Sequence, residues 1–385
     1  MEGQSFRDLR EMAWFERQID ANISCIHLDG ERLIVGDWDG GIHCWDLNGE
    51  NLWSTKTSNR VGNLTLSKNT VYAVCGRDLT AIELSTGEIQ WNSELEGSSD
   101  LVASTQDGST IIATSSIFDL EMNDFLESTI WRFNQDGDLL FKESIDERPW
   151  SIEMRGDGTA FLALGRPRCG MIRINEEGAR HMTLPTNSPA TCGRVGPKYS
   201  IIGHADGTLT GLDTGLVLDD DDFTNQPGPI EAISSAEIGY MVASSIEDNS
   251  GISDSNTVRG IARSYDAKGK LVWQIETIGG CIIEHVEHGP EFDSSATAWV
   301  VSWDKTDSTI IVNSATQDRQ YAIFSEPSRV NAIQAYEDFI AIGFDNGRLI
   351  LLQGELLHRR LSQKSEDHSD ERRNKLAEKL RRLRS

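Results

Sequence analysis

The sequence lacks a long apolar segment. Nowhere in its 385 residues does an apolar run approach the roughly 20 residues of a membrane-spanning helix. The first residues do not resemble a secretory signal either, because charge is spread along them, at Arg7, Asp8, Arg10 and Glu11. We therefore expect a cytoplasmic protein that does not contact a membrane.

Cysteine is scarce and shows no paired spacing. The chain has 6 cysteines and no Cys-x-x-Cys motif. Small buried thiols are ordinary in β-sheet cores, and five of the six fall in predicted strands: Cys25, Cys44, Cys75, Cys192 and Cys281. We predict reduced structural thiols, as is typical of a reducing compartment.

Basic residues are few relative to acidic ones. There are 36 Lys and Arg against 61 Asp and Glu, which gives a formal net charge of −25. A uniformly acidic surface repels nucleic acids and anionic membranes. The main body of the protein is therefore a poor candidate for binding either.

Recognisable catalytic motifs are missing. The sequence contains no Gly-x-Ser-x-Gly, no Gly-x-x-x-x-Gly-Lys and no His-Glu-x-x-His, the patterns of nucleophile elbows, phosphate-binding loops and zinc proteases. We predict no catalytic residue and no cofactor, and expect that the protein is not an enzyme.

Two acidic or metal-capable clusters do not make convincing metal sites. The tetrad from Asp219 to Asp222 lacks the alternating ligands and turn glycine of calcium loops. Cys281, His285 and Glu287 would share one face of a strand, with Glu284 and His288 pointing away. Three residues from one strand rarely complete a zinc site, so we predict no metal ligand.

A repeating β-module is the dominant positive feature. The stretch from Glu31 to Trp53, ERLIVGDWDGGIHCWDLNGENLW, reads as three short strands joined by two tight turns. Asp39-Gly40-Gly41 and Asn48-Gly49 supply residues that tolerate positive φ, as hairpin turns require. Such a sheet buries both faces only when similar sheets stack on each side, so copies are expected.

Copies of the second turn recur to the end of the chain. Their spacing of about 35 to 55 residues fits propeller blades with uneven loops, and we count eight units. Related strands open the units at Ile23, Val61, Ile230 and Val330. The turns recur at Ser85-Thr86-Gly87, Asp136-Gly137, Glu177-Gly178, Asp213-Thr214-Gly215, Lys268-Gly269, Gln317-Asp318 and Gly354.

These repeats resemble those of known propeller families. The segments IHCWDLNGENLW, AIELSTGEIQW and RSYDAKGKLVW are similar to quinoprotein-type, or PQQ-like, repeats, and DWDGGIHCWDL resembles the WD-repeat pattern. The resemblance covers residues 13 to 360. It implies an all-β fold, an eight-bladed β-propeller with seven blades as the alternative.

The resemblance also implies two alternative functions. Quinone-dependent dehydrogenases of this type use calcium, a catalytic aspartate and often adjacent cysteines, and they are typically exported. This sequence has neither an export signal nor a Cys-Cys pair. Similar repeats also build a bacterial outer-membrane assembly subunit, which leaves a cytosolic assembly factor as the second alternative.

Two segments compete to close the predicted ring. The segment from Trp14 to Ile19 parallels the one from Trp53 to Thr57 and would supply the fourth strand of the last blade. The segment from Glu355 to Leu361 could take the same place. We favour the N-terminal strand, because closing the ring removes its open edges.

Loop insertions mark one face as a candidate binding surface. Insertions at 115–128 and 245–258 fall between second and third strands, which share a face with the connections between blades. The first carries apolar residues, Phe118, Leu120, Met122, Phe125 and Leu126, and a third insertion at 288–297 should lie on the opposite face. Arginines preceding inner strands should also lie on the first face: Arg60, Arg148 and Arg329.

The C-terminus differs from the rest of the chain. Residues 371–385 lack Gly, Pro and β-branched residues, which favours a helix, and Leu376, Leu380 and Leu383 form one stripe of it. Seven basic and two acidic residues give this segment a charge of +5. The candidate partner-binding residues here are Arg372, Arg373, Leu376, Leu380, Arg381, Arg382 and Leu383.

The sequence thus predicts four segments. They are an N-terminal arm at 1–12, a β-propeller at 13–361, a polar hinge at 362–370 and a basic amphipathic helix at 371–385. Such a short helix is marginal alone and orders only against a surface. We predict a non-catalytic scaffold that binds protein partners through its loop-rich face and this helix, with nucleic acid contacted at most by the tail.

Overall fold

Eight antiparallel four-stranded sheets, or blades, form a closed ring in the computed structural model. The structure describes residues 7–121, 123–213, 216–217, 223–248, 257–277 and 280–362. Within each blade the first strand faces the central channel and contacts the first strands of both neighbouring blades. The predicted eight-bladed propeller is therefore confirmed over its seven-bladed alternative.

The strands of the first four blades run outward from the channel in chain order. Blade 1 contains β2 Ile23–Leu28, β3 Arg32–Asp37, β4 Gly41–Asp46 and β5 Asn51–Lys56; blade 2 contains β6 Val61–Leu66, β7 Thr70–Cys75, β8 Asp78–Glu83 and β9 Ile89–Glu94; blade 3 contains β10 Ser98–Ser104, β11 Ile111–Asp119, β12 Asp124–Phe133 and β13 Leu139–Ile145; blade 4 contains β14 Pro149–Met154, β15 Ala160–Leu164, β16 Met171–Asn175 and β17 Gly178–Met182.

The last four blades follow the same order, except that the outermost strand of blade 8 comes from the N-terminus. Blade 5 contains β18 Ala190–Arg194, β19 Ser200–His204, β20 Leu209–Asp213 and β21 Leu216–Val217; blade 6 contains β22 Ile230–Ala236, β23 Gly239–Asp248, β24 Thr257–Asp266 and β25 Leu271–Glu276; blade 7 contains β26 Ile282–Phe292, β27 Ser295–Trp303, β28 Ser308–Ser314 and β29 Gln320–Glu326; blade 8 contains β30 Val330–Tyr336, β31 Phe339–Phe344, β32 Arg348–Gln353 and β1 Phe15–Gln18.

Burial along the strands explains their sequence pattern. The second strand of blade 1, β3, is almost entirely buried, whereas its outermost strand β5 is mostly exposed and buries only Trp53. Middle strands are covered on both faces by neighbouring blades and so read as continuous apolar runs, while edge strands face water. The core consequently lies between blades rather than within any one of them.

The turn glycines of blades 2 and 3 each pack on a tryptophan ring of the preceding blade. Gly87 has φ +75°, and a Cβ added to it would lie 2.7 Å from a ring atom of Trp53. The Trp53 indole N–H donates to the Leu84 carbonyl at 2.7 Å. Gly137 and Trp91 repeat the arrangement between blades 2 and 3. The Gly-x-x-x-Trp pattern therefore records contacts between blades.

The N-terminal strand closes the ring. Strand β1 pairs antiparallel with β32, with Phe15 opposite Leu351. The Trp14 indole N–H donates to the Leu47 carbonyl of blade 1 at 2.8 Å, which reproduces the contact of Trp53 with blade 2. The predicted closure is confirmed, and the competing segment forms a helix instead, α1 Gly354–Ser362.

Helix α1 covers one face at blades 7 and 8. Leu357 and Leu361 are buried in a cluster with Phe292 of the β26–β27 hairpin and with Leu9 and Met12. Leu9 precedes a 3-10 turn at Arg10–Met12, and Met12 is its last residue. This hairpin contains the insertion at 288–297, which lies on the side opposite the connections between blades, as predicted.

Several sequence predictions lie outside the described residues. These are the tetrad from Asp219 to Asp222, part of the insertion at 245–258, and the hinge and basic helix beyond Ser362. Helix α1 is a different segment from the one predicted as a basic helix. No helix in the described part of the chain is long and apolar enough to cross a membrane.

Candidate functional site

Antiparallel topology assigns every loop of the propeller to one of two faces. Connections between blades and loops between second and third strands lie on what we call the upper face, and the remaining turns lie on the lower face. Both insertions predicted for the upper face belong to such loops. Their hairpins lengthen β11 and β12 in blade 3, and β23 and β24 in blade 6.

A cleft of about 1030 Å³ opens on the upper face. Its walls come from the insertion hairpin of blade 3, the connections into blades 4 and 5, a loop of blade 4 and the inner strand of blade 6. The lining residues are Phe125, Leu126, Asp146, Arg148, Trp150, Gly165, Arg166, Pro167, Pro189, Ala190, Thr191 and Glu231. We refer to this site as the cleft.

An arginine held between two aromatic rings forms one wall of the cleft. The Arg148 guanidinium carbon lies 4.1 Å from the ring centroid of Phe125 and 4.6 Å from that of Trp150. Its Nη2 donates to the Asp100 carboxylate at 3.1 Å. Stacking on aromatic faces and pairing with a carboxylate both suit the planar guanidinium, so this wall is preorganised.

Asp100 fixes Arg148 from beneath. Burial raises the pKa of the Asp100 carboxyl, while the Ser116 hydroxyl and the charge of Arg148 act in the opposite direction. The carboxylate accepts hydrogen bonds from both groups. Arg148 is thereby largely neutralised, and its role in the wall is mainly geometric.

The insertion hairpin of blade 3 presents apolar side chains to solvent beside the cleft. Phe118 and Phe125 meet edge to face at 5.0 Å. Leu120 is 87% exposed and Leu126 is 52% exposed. Apolar side chains that face water add little to the stability of the fold. A contiguous exposed apolar surface is typical of an interaction site.

The three arginines predicted to share the upper face do so but are not brought together. Arg148 lines the cleft. Arg60, at the start of blade 2, stacks over the exposed Trp38 ring at 4.0 Å. Arg329, at the start of blade 8, donates through Nε to Glu284 at 2.9 Å. Their role in partner binding stays a prediction, as does that of the tail residues 372–383, which lie outside the described residues.

Sequence reasoning missed several residues that build the cleft. Trp150 is 44% exposed at the start of β14, and Asp100 and Glu231 come from inner strands of other blades. The signal available in the sequence for Trp150 was its position two residues after Arg148. The contributions of Asp100 and Glu231 depend on how blades are arranged around the ring.

Buried ionisable groups line the channel below the cleft. Arg194 of blade 5 reaches past blade 6 to donate to both carboxylate oxygens of Glu287 in blade 7, at 2.7 and 2.8 Å. Burial raises the pKa of Glu287 to about 7 against the opposing effect of Arg194. Burial also lowers the pKa of the neighbouring His288 to about 4. The ion pair braces three blades.

The metal-capable residues of β26 have separate partners. Glu287 binds Arg194, and His285 Nε2 lies 3.0 Å from the Val330 carbonyl oxygen. Burial lowers the pKa of His285. Among the described residues, no group of three or more His, Cys, Asp or Glu side chains is placed to hold a metal ion.

Comparisons with known proteins agree with this architecture. The sequence family described as outer membrane protein assembly factor BamB matches residues 7–149. No curated protein sequence matches the chain significantly.

Solved structures resemble the whole ring. The computationally designed Ika8 protein has a TM-score of 0.65 at 15% identity, covering 88% of this chain and 98% of that one. Sqt1 of Saccharomyces cerevisiae has a TM-score of 0.63 at 10% identity, covering 88% and 97%. BamB from Moraxella catarrhalis has a TM-score of 0.59 at 11% identity, covering 88% and 98%.

At these identities the similarity establishes the fold alone. The family match supplies PQQ-like repeats over the first blades, and the structural matches extend the architecture around the ring. The chain is therefore an eight-bladed β-propeller repeat protein, and residues 7–149 match a PQQ-like repeat family.

Proposed function

We propose that the protein is a non-catalytic cytoplasmic scaffold that binds partner proteins in the cleft of its upper face. The observation that carries this proposal is the cleft wall of Phe125, Arg148 and Trp150, with Leu126 exposed beside it. Aromatic and arginine side chains dominate the energetics of protein–protein interfaces. The C-terminal segment is a second binding element on sequence grounds.

The shape of the cleft supports a polypeptide ligand. Its volume of about 1030 Å³ is at the upper end of the roughly 300–1,000 Å³ typical of small-molecule pockets. Backbone and side chains from several blades line it, as suits a groove for a chain segment. Apolar anchors with a polar surround are the usual composition of such grooves.

The chemistry of the lining supports a non-catalytic role. Arg148 is neutralised by Asp100, and the Thr191 hydroxyl donates to the Ile230 carbonyl at 2.7 Å. Among the lining residues that the structure describes, no nucleophile lies beside a general base, which is the arrangement that covalent catalysis needs.

The cysteines support the assignment to a reducing compartment. All 6 fall within the described residues, and none of them forms a disulfide bond. Burial raises the pKa of Cys25, Cys44 and Cys192 to about 12 in each case. Such thiols are protonated and inert, as expected of core residues rather than redox centres.

Site-specific photo-cross-linking tests the proposal. A photoreactive amino acid at position 126 should cross-link a partner in cells, and Trp150→Ala should abolish that product. Position 52 is the matched control, because Leu52 is 48% exposed on the outer strand of blade 1. Equal products from both positions, or none from position 126, would contradict the assignment of the cleft as the binding surface.

A role as an assembly factor is the second candidate, and the family match over residues 7–149 favours it. The same cross-linking experiment separates the two candidates. Transient products with incompletely folded proteins would identify an assembly factor. A single stable product with a mature partner would identify a scaffold.

A further inference from the structure

The cleft combines an apolar wall with an acidic rim. We define the acidic rim as five carboxylates on the insertion hairpin and the cleft walls. Two of them, Asp146 and Glu231, are exposed lining residues. The cations of the lining are Arg148, which Asp100 neutralises, and the exposed Arg166. The rim consists of Asp119, Glu121, Glu127, Asp146 and Glu231.

A ligand complementary to this surface carries apolar side chains flanked by basic ones. Carboxylates outnumber free cations at the cleft, and the whole chain has a net charge of −25. Electrostatic complementarity steers association and suppresses wrong partners. A basic amphipathic helix has this chemistry, since its leucine stripe can enter an apolar groove while its Lys and Arg side chains meet the rim.

The chain itself contains a segment with that composition. Residues 371–385 carry seven basic and two acidic residues. Leu376, Leu380 and Leu383 recur at helical spacing, with arginines and lysines between them. At about four turns, such a segment gains order only when it is bound to a surface.

The described chain ends on the face opposite the cleft. The described chain ends at Ser362, in a helix packed on the lower face at blades 7 and 8, whereas the cleft is on the upper face between blades 3 and 6. The linker 363–370 spans at most about 28 Å, against a body roughly 50 Å across. When the segment docks on a second copy, the linker does not have to reach around its own propeller.

We infer that the cleft of one copy binds residues 371–385 of a second copy. This inference rests on the proposed function, because it names the partner of the same cleft. The contact is heterologous: the upper face of one propeller meets a segment that leaves the lower face of the next. Such contacts generate open chains or closed rings rather than symmetric dimers.

Sedimentation velocity of the full-length protein tests the inference. The sedimentation coefficient should rise with concentration, and added synthetic peptide 371–385 should return it to the monomer value. Leu126→Asp should weaken self-association at least roughly tenfold, the loss expected when an interface anchor is removed. Leu52→Asp is the matched control with similar exposure and should leave self-association unchanged.

Complementation between two defective variants gives the sharpest readout. A Leu126→Asp chain retains an intact tail, and a Leu376→Asp, Leu380→Asp chain retains an intact cleft. Each alone should be monomeric, and their mixture should form a complex that stops at one copy of each. Unchanged thermal melting of both variants establishes that they fold.

Charge reversal isolates the acidic rim. Asp146→Lys with Glu231→Lys should weaken self-association, whereas Glu88→Lys with Glu177→Lys, at exposed positions in lower-face turns, should have little effect. Added salt should weaken the wild-type contact, because it screens exposed charges over about 10 Å at 0.1 M.

Three results would overturn the inference: a monomer at every concentration, an equal loss from the Leu126 and Leu52 variants, or no complex in the mixture. None of them decides the proposed function. If position 126 still cross-links a different protein, the cleft remains a partner-binding surface. If self-association holds and no other partner is captured, the scaffold acts through copies of itself.

Discussion

The two faces of the propeller use their aromatic side chains in opposite ways. On the lower face Phe292 is 0% exposed, stacked on His358 and enclosed by α1 and the segment before β1. On the upper face Trp150 is 44% exposed and stacked against Arg148. On the lower face, buried apolar side chains stabilise the fold. The exposed aromatic side chains of the upper face gain little from burial, so their presence requires a reason other than folding.

Truncating one aromatic side chain on each face to alanine should give the largest difference in stability between the two faces. Phe292→Ala should lower the free energy of unfolding by about 3–5 kcal/mol, because a large buried ring leaves a cavity. Trp150→Ala should cost less, about 1–2 kcal/mol, because the ring is 44% exposed and loses one cation–π contact and only part of its packing. Urea denaturation measures both. Equal losses would mean that the upper-face aromatics are structural.

Gly→Ala substitutions at positive-φ positions compare how strongly the two faces constrain the backbone, measured as the loss of stability. Gly87→Ala, in a lower-face turn, should cost roughly 2–3 kcal/mol, since positive φ is strained and the new Cβ meets Trp53. Gly280→Ala, in an upper-face connection, shares a positive φ of +87° but has nothing within 4 Å. It should therefore cost only about 1 kcal/mol. A similar loss at both positions would show that packing on Trp53 contributes little.

The channel between the faces should make stability depend on pH. The pKa of Glu287 is raised to about 7 in the folded protein, so the folded state binds a proton at this carboxyl more readily than the unfolded chain does. Its contribution is fully present below about pH 4.5, the ordinary value of an unfolded glutamate, and is lost as the pH rises through about 7.

Glu287→Gln should remove this dependence. The free energy of unfolding should differ less between pH 5 and pH 8 in the variant than in the wild type, by on the order of 2 kcal/mol. Both proteins share the other titrating groups, including Asp100, so the comparison isolates position 287. Identical pH profiles would show that Glu287 stays ionised throughout.

The smallest effect on stability is expected at the cleft surface. Leu126→Asp and Leu52→Asp should each change the free energy of unfolding by no more than about 0.5 kcal/mol, as exposed substitutions usually do. The two variants should differ in binding alone. If Leu126→Asp were strongly destabilising, its hairpin would belong to the core and the contrast between the faces would weaken.

Local sequence predicted the blades well because each repeat carries its own turn chemistry. Gly49, Gly87 and Gly269 mark turns that the structure confirms, with φ between +74° and +85°. The strand starts at Ile23, Val61, Ile230 and Val330 are also confirmed. The segment after Gly354 was harder, since a turn glycine there begins α1 instead of a hairpin.

The cleft was only partly predictable. The insertion at 115–128 and Arg148 were identified because a long loop and an arginine before an inner strand are local signals. Asp100 and Glu231 were missed, since nothing near them in sequence indicates that blades 3, 4 and 6 converge on one opening, and Trp150 was missed although it lies two residues after Arg148.

The sequence by itself determined that this protein is a ring of repeated β-sheets, because each repeated module leaves two apolar faces that only a neighbouring copy can cover, and the structure decided for eight blades over seven. Tertiary structure alone decided which residues share the cleft and that Arg194 pairs with Glu287 across blade 6. The physical reason is that turns and strands are specified within a few residues. Contacts between blades depend on the curvature and closure of the whole ring.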